Sequence, residues 1–396
     1  MKPAILILGA GIYQAPLIRK ARERGCEALV ASIPGDFPGI ALADQFYAVD
    51  IREVGNILAL AQASHAAAIL TTGADAGLPA IGAVVDTLGL RGPSRKIAET
   101  VSSKSAFRAF LQAHGHPHPP FVCCPDGTEA WRFYSSLKRK CVFKPDDASG
   151  SRGVTILEPG LPAERVAAAY EHARLHARNG LVCAEAFITG RETGGDAFFF
   201  DGAPVFFTTT DKHMQGVMVR GHSLPNPRAA AVEPIVGEAI GRIAADLGYD
   251  AGPMNFDAII AGDSVYLLEI GLRNGGNGIV DLIYHGMGVD LLEMALDHAL
   301  GEPLRTGWNG VQRPVSSYVF GSGRPGRLRS IASLHALREM VPAVFDVVMA
   351  RKPGEEVGAF THNANLLGYL LLDGGSAEYE ILIAELEKHL HIEIEP

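Results

Sequence analysis

Two acidic residues lie on neighbouring segments that the sequence predicts to pair as a β-hairpin. Asp257 belongs to the apolar run Met254–Ile260, and Glu269 belongs to a second apolar run that begins at Val265. An Ala-Gly-Asp-Ser segment separates the two runs, which is typical of a hairpin turn. A three-residue loop at 262–264 would place Asp257 directly across from Glu269, with Cβ atoms about 5 Å apart.

Two carboxylates that face each other repel unless a cation lies between them. Their apolar neighbours also make an unpaired charge costly. A hard divalent ion such as Mg²⁺, held by carboxylates and phosphate oxygens, is the natural bridge, so the hairpin predicts a metal site at Asp257 and Glu269. The alternative is a pair of solvated acids on a sheet edge, and a one-residue shift in register would separate them.

A lysine followed by a glycine- and serine-rich loop is the second group that could do chemistry. Lys144 ends a short strand, and the loop Ser149–Gly153, which contains Arg152, follows it. Backbone N–H groups of such a loop, together with the two cations, can bind a polyphosphate. The loop lacks the G-K-S/T ending of a P-loop, so a mobile hairpin loop is the alternative.

A third segment, Val182–Glu192, follows at the end of another predicted strand. If the strand leaves its sheet here, backbone groups of Ala186 and Ile188 are free to pair with a purine edge. Glu185 and Glu192 could accept hydrogen bonds from an amino group or from ribose hydroxyls. Taken alone, the segment is equally well a linker with two solvated acids.

The first predicted strand ends in Gly9-Ala10-Gly11, which resembles the start of a dinucleotide-binding fingerprint. Gln14 occupies the position of the third glycine, however, and no acidic residue ends the second strand. A lone G-x-G is weak evidence for NAD binding. A structural turn or a substrate contact is therefore the preferred interpretation.

The elements that must position these groups follow a mixed α/β pattern. Alternating strand and helix signals over Ala4–Leu88 predict a parallel, doubly wound sheet. A small α+β unit is predicted over Gly115–Glu185, and the helix Val232–Leu247 has one continuous apolar face. A last segment with strands and helices begins near Val315. A chain of 396 residues is expected to form two or three domains.

Composition is typical of a soluble globular protein, with 47% apolar and 20% charged residues. The net charge is −9 and no long basic run occurs, so nucleic-acid binding has no electrostatic support. Five scattered cysteines without a C-x-x-C pattern indicate buried thiols in a reducing compartment. No apolar run has the length of a membrane helix, and the first residues indicate a buried strand rather than a signal peptide. A cytoplasmic protein without nucleic-acid or membrane partners is expected.

The order of these groups along the chain resembles the ATP-grasp superfamily, to which biotin carboxylase, carbamoyl phosphate synthetase and the amino-acid ligases belong. The resemblance spans roughly residues 1–300 and is carried, in order, by Lys104, Lys144 with its Gly/Ser loop, Glu185, Glu192, Asp257, Glu269 and Arg273. The last segment resembles the C-terminal region of the amino-acid-ligase branch. Each motif is loose alone, but their order together is specific.

The resemblance implies an α/β protein with an ATP-grasp fold preceded by a Rossmann-like parallel α/β domain. It implies four parts: a Rossmann-like N-terminal domain over 1–95, an ATP-grasp lid subdomain with a linker helix over 96–190, a metal- and substrate-binding subdomain over 191–305, and a C-terminal α+β subdomain over 306–396.

The resemblance also implies roles for individual residues. The expected nucleotide contacts are the phosphate-binding lysines Lys104 and Lys144, the lid residues Ser149, Gly150, Ser151, Arg152 and Gly153, the adenine-packing Val154 and Leu268, the adenine hinge Glu185, Ala186, Phe187 and Ile188, and the ribose contact Glu192. Asp257 and Glu269 would bind Mg²⁺, for which Mn²⁺ is an alternative. Arg273 would steady the transferred phosphoryl group or a substrate carboxylate, and Lys212 would reach the γ-phosphate. Gly271 departs from the pattern, because the family usually has a metal-binding asparagine there.

The implied function is an ATP- and Mg²⁺-dependent ligase that activates a substrate carboxylate as an acyl phosphate and couples it to an amine. Small-molecule carboxylate and amine substrates are the implied partners, and a homodimer is compatible with the resemblance. His213 and His222 fall where acceptor pockets lie in similar ligases. Two other functions stay open, an NAD(P)-dependent oxidoreductase and a non-catalytic nucleotide-binding module, the latter suggested only by Gly271.

Overall fold

The computed structural model describes residues 2–308 and 310–395. Its N-terminal part is a parallel sheet of four strands with helices packed against it. In chain order the elements are β1 (Ala4–Leu8), α1 (Gln14–Glu23), β2 (Glu27–Ser32), β3 (Gln45–Ala48), α2 (Val54–Ala63), β4 (Ala68–Leu70) and α3 (Leu78–Leu88). The strands pair in the order β3-β2-β1-β4 and every pair is parallel, as the alternation of strand and helix predicts.

Strand β1 is buried on both of its faces. Ile5 and Ile7 belong to one apolar cluster with residues of α1, whereas Leu6 and Leu8 belong to a second cluster with residues of α2 and α3. A parallel strand covered on two sides has to be apolar at every position, which explains the uninterrupted apolar run in the sequence.

Two consecutive helices, α4 (Arg95–Ser102) and α5 (Lys104–Ala113), lead from this sheet to the next part of the chain. The hydroxyls of Ser94 and Ser103 accept hydrogen bonds from backbone N–H groups in the first turns of these helices. Such caps satisfy N–H groups that have no partner inside the helix. Because Ser103 ends one helix and begins the other, Lys104 is the first residue of α5.

A small α+β unit follows, with its own apolar core. Its elements are β5 (Phe121–Cys124), α6 (Gly127–Leu137), β6 (Cys141–Pro145), β7 (Thr155–Leu157), α7 (Ala163–His176) and β8 (Val182–Ala186). The sheet has the order β5-β8-β6-β7 and is antiparallel throughout. The Gly/Ser loop is therefore the connection between two paired strands, β6 and β7.

The largest sheet has eight strands and begins with the part of the chain that follows this unit. The next elements are β9 (Arg191–Phe200), β10 (Ala203–Gln215), β11 (Met218–Leu224), α8 (Ala229–Leu247), β12 (Gly252–Ala261), β13 (Ser264–Gly271), α9 (Ile279–Met287) and α10 (Leu291–Leu300). Helix α8 confirms the helix predicted from the apolar face at 232–247, and it ends at Gly248 with a positive φ of 69°.

The C-terminal segment completes the large sheet and adds a small one. Its elements are β14 (Val315–Gly321), β15 (Gly326–Ser330), α11 (Leu334–Met340), β16 (Val344–Met349), β17 (Glu356–Val357), a short 3₁₀ turn (Asn363–Asn365), β18 (Leu366–Asp373), α12 (Tyr379–His389) and β19 (Glu393–Glu395). The eight strands have the order β13-β12-β9-β10-β11-β14-β18-β16, and the small sheet has the order β17-β15-β19. The large sheet thus crosses residue 306, where a separate subdomain was expected to begin.

All five cysteines are free thiols, and all except Cys123 are buried, as predicted. Burial raises the pKa of Cys124, Cys141 and Cys183 to about 12, so these thiols stay protonated and unreactive near neutral pH. Across residues 2–308 and 310–395, no helix is both long enough and apolar enough to cross a lipid bilayer.

Candidate functional site

A cavity of about 400 Å³ lies where the small α+β unit, the β12–β13 hairpin, the N-terminal sheet and the C-terminal segment meet. Every residue that the sequence predicted for the nucleotide, the metal or catalysis lines this cavity, except Gly153. Gly153, the last residue of the loop, packs against Pro145, where an added Cβ would be 2.8 Å from the proline side chain. The cavity is large enough for a nucleotide-sized ligand.

The hairpin confirms that Asp257 lies opposite Glu269. The prediction of a three-residue loop at 262–264 is wrong, because Ala261 pairs with Ser264 and only two residues form the turn. A two-residue turn with a regular ladder would place Leu268 opposite Asp257. A shift in register between Asp257 and the next residue corrects this offset, so the pairing depends on a β-bulge rather than on loop length.

The bulge makes Leu268 the extra residue of strand β13. Leu268 and Glu269 both line the cavity, although they are consecutive. In a regular strand, consecutive side chains point to opposite faces, so this arrangement requires the bulge. One strand therefore supplies an apolar wall and a carboxylate to the same cavity.

Lysines already lie beside the two facing carboxylates. Lys212 Nζ is 2.8 Å from Asp257 Oδ1 and 3.3 Å from Glu192 Oε2, and Lys104 Nζ is 3.6 Å from Glu269 Oε2. Burial raises the pKa of the Asp257 carboxyl, but the charge of Lys212 outweighs this and holds that pKa below its usual value. Lysine ammonium groups therefore already supply part of the positive charge that the facing carboxylates were expected to need.

The donor set fits Mg²⁺ bound together with a nucleotide. In the part of the chain that the structure describes, no group of three or more His, Cys, Asp or Glu side chains could hold a metal by itself. Mg²⁺ in phosphoryl-transfer sites commonly takes one or two carboxylates and completes its shell with phosphate oxygens and water. Asp257 and Glu269 match that requirement.

Gly271, the position that departs from the family pattern, has no space for a side chain. An added Cβ would be 2.5 Å from Asp75 Oδ1 and 2.9 Å from Arg273 Cζ. An ion pair occupies this space, since Arg273 Nε and Nη2 donate to the two oxygens of Asp75 over 2.8 Å and 2.7 Å. The structure thus has no room for the asparagine that is usual here.

Arg273 is predicted to face a phosphoryl group or a substrate carboxylate, and it does line the cavity. Its Nη1 also donates to Asn255 Oδ1 over 2.9 Å, and its side chain is only 9% exposed. Sequence reasoning missed Asp75 and Asn255. No local pattern could reveal Asp75, because it lies 198 residues before its partner.

The two predicted phosphate-binding lysines are tied together by Asp146, which the sequence analysis also missed. The backbone carbonyl of Asp146 accepts from Lys104 N over 2.9 Å, and its carboxylate accepts from Ser103 Oγ and Ser105 N over 2.7 Å each. Asp146 follows Lys144 by two residues at the end of β6. This contact fixes the start of α5 against the end of β6 and so brings both lysines to one end of the cavity.

Glu185 forms a buried ion pair with Lys144 and Arg108. Burial would raise the pKa of the Glu185 carboxyl, but the two cations hold it at about 2. Since both carboxylate oxygens already accept from cations, the interpretation of this side chain as an acceptor for an amino group or ribose is not supported. Sequence reasoning missed Arg108.

The expected adenine hinge is only partly free to pair with a base. Ala186 N donates to Pro120 O and Phe187 N donates to Lys140 O, both over 2.9 Å. The N–H of Ala186, one of the backbone groups expected to pair with a purine edge, is therefore not free. Ile188 N has no hydrogen-bond partner within residues 2–308 and 310–395, so it is the donor left for a purine edge.

The Gly/Ser loop contacts two other parts of the chain. Ser151 Oγ donates to Val217 O over 2.7 Å at the tip of the β10–β11 hairpin. Asn363 N, in the C-terminal 3₁₀ turn, donates to Gly150 O over 3.3 Å, and Asn363 Nδ2 donates to Val219 O over 2.9 Å. The loop is thus held over the cavity by segments that are distant in sequence.

His222 presents a free nitrogen to the cavity, whereas His213 does not line it. Thr210 Oγ1 donates to Gly194 O and lies 2.8 Å from His222 Nδ1, so Nδ1 carries the proton and Nε2 keeps its lone pair. Burial, together with the charge of Lys212, lowers the pKa of His222 to about 3, and the ring stays neutral. His213 instead stacks on a tyrosine and bonds a serine hydroxyl.

The Gly9–Gly11 turn is structural, as preferred from the sequence. Gln14 Oε1 accepts from Gly11 N over 2.8 Å, and the Gln14 amide donates to Thr72 O. The Gln14 side chain lies against Gly9, where an added Cβ would be 3.0 Å from it. The side chain therefore covers the turn that a pyrophosphate would approach in a dinucleotide site.

Comparison with known proteins relates this chain to ligases by sequence and by fold. A family model described as L-amino acid ligase C-terminal domain 2 matches residues 319–395. Phosphoribosylamine–glycine ligase of Caulobacter vibrioides is 27% identical over 216 residues, which cover 54% of this chain and 50% of the relative. The chain thus spans about half the length of that curated relative.

Solved structures decide the fold. An L-amino acid ligase from Bacillus licheniformis superimposes with a TM-score of 0.84 at 18% identity, covering 100% of this chain and 99% of the other. The chain has the ATP-grasp fold. The biotin carboxylase domain dimer of Hydrogenobacter thermophilus 2-oxoglutarate carboxylase, solved with MgADP, ADP and bicarbonate, gives a TM-score of 0.75 at 18% identity and covers 100% of this chain and 91% of the other.

These comparisons confirm the resemblance to ATP-grasp proteins that the order of motifs predicted. The match at 319–395 agrees with the expected likeness of the last segment to the amino-acid-ligase branch. The oxidoreductase and the non-catalytic module receive no support from these relatives.

Proposed function

We propose that this ATP-grasp protein is an ATP- and Mg²⁺-dependent carboxylate–amine ligase that releases ADP and phosphate. The bulged hairpin is the observation that carries the proposal, because it places Asp257 and Glu269 opposite each other in a cavity that also contains three lysines. The relatives point the same way, since they are named as ligases or, in one case, were solved with MgADP.

In this proposal the nucleotide occupies the end of the cavity under the Gly/Ser loop. Val154, Phe187 and Leu268 offer apolar contact to the base, and Ile188 N offers a donor to its edge. Lys104 and Lys144 lie where the phosphates would be. A Mg²⁺ or Mn²⁺ ion held by Asp257 and Glu269 would neutralise charge on the phosphate oxygens.

The chemistry follows from the weakness of a carboxylate as an acyl donor. A carboxylate oxygen attacks the γ-phosphorus, the bond to ADP breaks, and an acyl phosphate forms. The amine then attacks the acyl carbon, and phosphate leaves with the electrons of the carbon–oxygen bond. Because charge spreads over the phosphoryl oxygens during transfer, positioned cations supply most of the catalysis.

The attacking amine has to lose a proton, which the departing phosphate can take. His222 lines the cavity, but burial and the charge of Lys212 hold its pKa at about 3, so its neutral ring is suited to hydrogen-bond a substrate group rather than to act as a base near neutral pH. Arg273, held by Asp75, also lines the cavity and is suited to bind a substrate carboxylate. Small-molecule carboxylate and amine substrates are therefore part of the proposal.

The finer organisation belongs to the same proposal. The parallel sheet formed by β1 to β4 would be a Rossmann-like N-terminal domain over 1–95, followed by lid, metal-binding and C-terminal parts over 96–190, 191–305 and 306–396. The free thiols support a reducing, cytoplasmic location. A homodimer is proposed as the assembly, to be tested by light scattering of the purified chain.

The test is ADP release measured over pairs of carboxylates and amines with and without Mg²⁺. Replacing Lys144 by alanine removes one of the cations near the transferred phosphoryl group, and we expect turnover to fall by about 10²–10³. Lys140→Ala is the matched control, because its exposed ammonium pairs with Glu158 outside the cavity. ADP release that is independent of both metal and amine, or unchanged by Lys144→Ala, would contradict the proposal.

A further inference from the structure

Arg108 has no part in the function proposed so far, although it is completely buried. It lies on α5 between Phe107 and Leu111, on the face that packs into the protein. It does not itself line the cavity. A buried arginine is costly unless each of its donors has an acceptor, so its contacts indicate what it is for.

The guanidinium of Arg108 joins two walls of the cavity. Its Nε donates to Glu185 Oε2 over 2.9 Å, on strand β8. Its Nη1 donates to Leu267 O over 3.1 Å, and its Nη2 donates to Leu268 O over 3.0 Å, on strand β13. One planar group therefore connects the acid that pairs with Lys144 to the bulge beside Glu269.

The two carbonyls that Arg108 binds belong to the bulged part of the strand. A bulge interrupts the regular ladder, so carbonyls beside it need hydrogen-bond donors from elsewhere. An arginine fork can donate in several fixed directions at once, whereas a lysine presents a single compact ammonium. The bulge in turn allows Leu268 and Glu269 to face the same cavity.

We propose that Arg108 is a positioning residue, which fixes the bulge so that Leu268 faces the base and Glu269 faces Asp257. The same guanidinium holds Glu185 in place against Lys144. This inference rests on the proposed function, since it assigns a nucleotide and a metal to the side chains that the bulge presents.

The register of β13 on β12 allows the proposal to be tested by deleting one residue. If Leu268 is removed, every remaining residue of β13 keeps its partner on β12, including Glu269 opposite Asp257, because only the unpaired residue is lost. The ladder then becomes regular and the carbonyl contacts of Arg108 are no longer needed. The apolar wall for the base is lost in the same variant.

The first experiment measures ATP affinity by calorimetry at several Mg²⁺ concentrations, with no carboxylate or amine present. Arg108→Lys keeps a positive charge beside Glu185 but loses the fork, and we expect binding of ATP–Mg²⁺ to weaken by about 10–100-fold. Arg24→Lys is the matched control, because Arg24 is also largely buried and paired with acids but does not line the cavity. Its affinity is expected to equal that of the wild type.

A thermal shift separates positioning from simple structural support. If Arg108→Lys melts earlier but binds ATP–Mg²⁺ as tightly as the wild type, Arg108 only stabilises the fold and the inference is overturned. If the wild type itself does not bind ATP–Mg²⁺, the proposed function fails instead. The two failures are therefore distinguishable.

The second experiment combines Arg108→Lys with deletion of Leu268. The deletion alone is expected to weaken ATP binding, and adding Arg108→Lys to it should cause a much smaller loss than Arg108→Lys causes in the wild type, because only the contact with Glu185 is left to weaken. Fully additive losses would overturn the inference. If Arg108→Lys does not fold by itself, deletion of Leu268 is expected to restore folding. An unfolded double variant would also overturn the inference.

Discussion

Asp196 illustrates, at the scale of single residues, the effect of burying a carboxylate without a cationic partner. Its carboxylate is completely buried on β9 and accepts from Gly275 N over 2.8 Å and Asn255 Nδ2 over 3.1 Å. No cation makes an ion pair with it among the residues that the structure describes. Burial consequently raises the pKa of Asp196 to about 6, despite these hydrogen bonds.

The raised pKa of Asp196 makes the free energy of unfolding depend on pH. The folded protein holds the Asp196 proton up to about pH 6, whereas the unfolded chain releases it near the ordinary value of 3.8. Stability from this group is therefore present below that ordinary pKa and is lost as the pH rises towards 6. Near neutral pH the folded protein carries a buried charge.

Asp196→Asn is expected to remove this dependence. The free energy of unfolding of the variant, relative to the wild type, should rise by up to about 3 kcal/mol between pH 3.5 and pH 7.5. Chemical denaturation at a series of pH values measures it. Asp263→Asn, in the exposed hairpin turn, is the control, and a parallel pH profile for the two variants would refute the assignment.

Local sequence patterns identified the charged residues of the cavity better than they identified the partners of these residues. Asp257 and Glu269 belong to one hairpin, so their proximity follows from the pairing of two strands that are neighbours in sequence. Arg273 and Asp75 are 198 positions apart, and no periodicity connects them. Arg108 did leave a signal, since a charged residue lay among apolar ones on a helix, where it implies a buried partner.

At the scale of elements, the Gly/Ser loop depends on the C-terminal 3₁₀ turn. Asn363 is only 8% exposed and bonds both the loop and the neighbouring β11 strand. These two contacts hold the loop over the end of the cavity that contains Lys104 and Lys144. A loop that covers a nucleotide affects its binding and release more than the chemical step.

Asn363→Ala is expected to loosen the loop. Loss of the side-chain contact to Val219 O should raise the KM for ATP several-fold, and amide hydrogen exchange in residues 149–153 should become faster. Asn365→Ala is the matched control in the same turn, because its amide bonds Ala359 O and does not touch the loop. Equal exchange rates in the two variants would show that the turn does not hold the loop.

The element boundaries also show where sequence reasoning reaches its limit. Helix α8 was predicted to within a few residues, because its apolar face and the glycine after it are strong local signals. The loop length at 262–264 was wrong. A turn of two residues plus a bulge and a turn of three residues give the same pairing at Asp257, so the sequence pattern does not distinguish them.

At the scale of the whole molecule, the large sheet joins parts that the sequence suggested were separate. Strand β14 pairs with β11 through Leu224 and Val315, and both of these residues belong to a core that also contains α1 and β1. The boundary expected at 306 was implied by the resemblance to the ATP-grasp superfamily. Strand pairing between distant segments leaves no such trace, so the continuity of the sheet could not be predicted.

A chain that ends after Arg305 is expected not to fold. Its β11 strand would lose the partner β14, and the apolar side chains that pack against Val315 in the full chain would be exposed to water. Circular dichroism and size exclusion should show an aggregated or largely unfolded product. A chain that ends after His391 loses only β19 and serves as the control. A well-folded 305-residue fragment would contradict the existence of a shared core.

The contact between Asn363 and the Gly/Ser loop has a consequence for how such proteins diversify. The segment that matches the L-amino acid ligase model contains this turn, and the same cavity receives side chains from it. Under the proposed function, exchange of that terminal segment between related genes would therefore alter both the residence time of the nucleotide and the shape of the cavity in a single event. Chimaeras of this kind should show the two properties changing together.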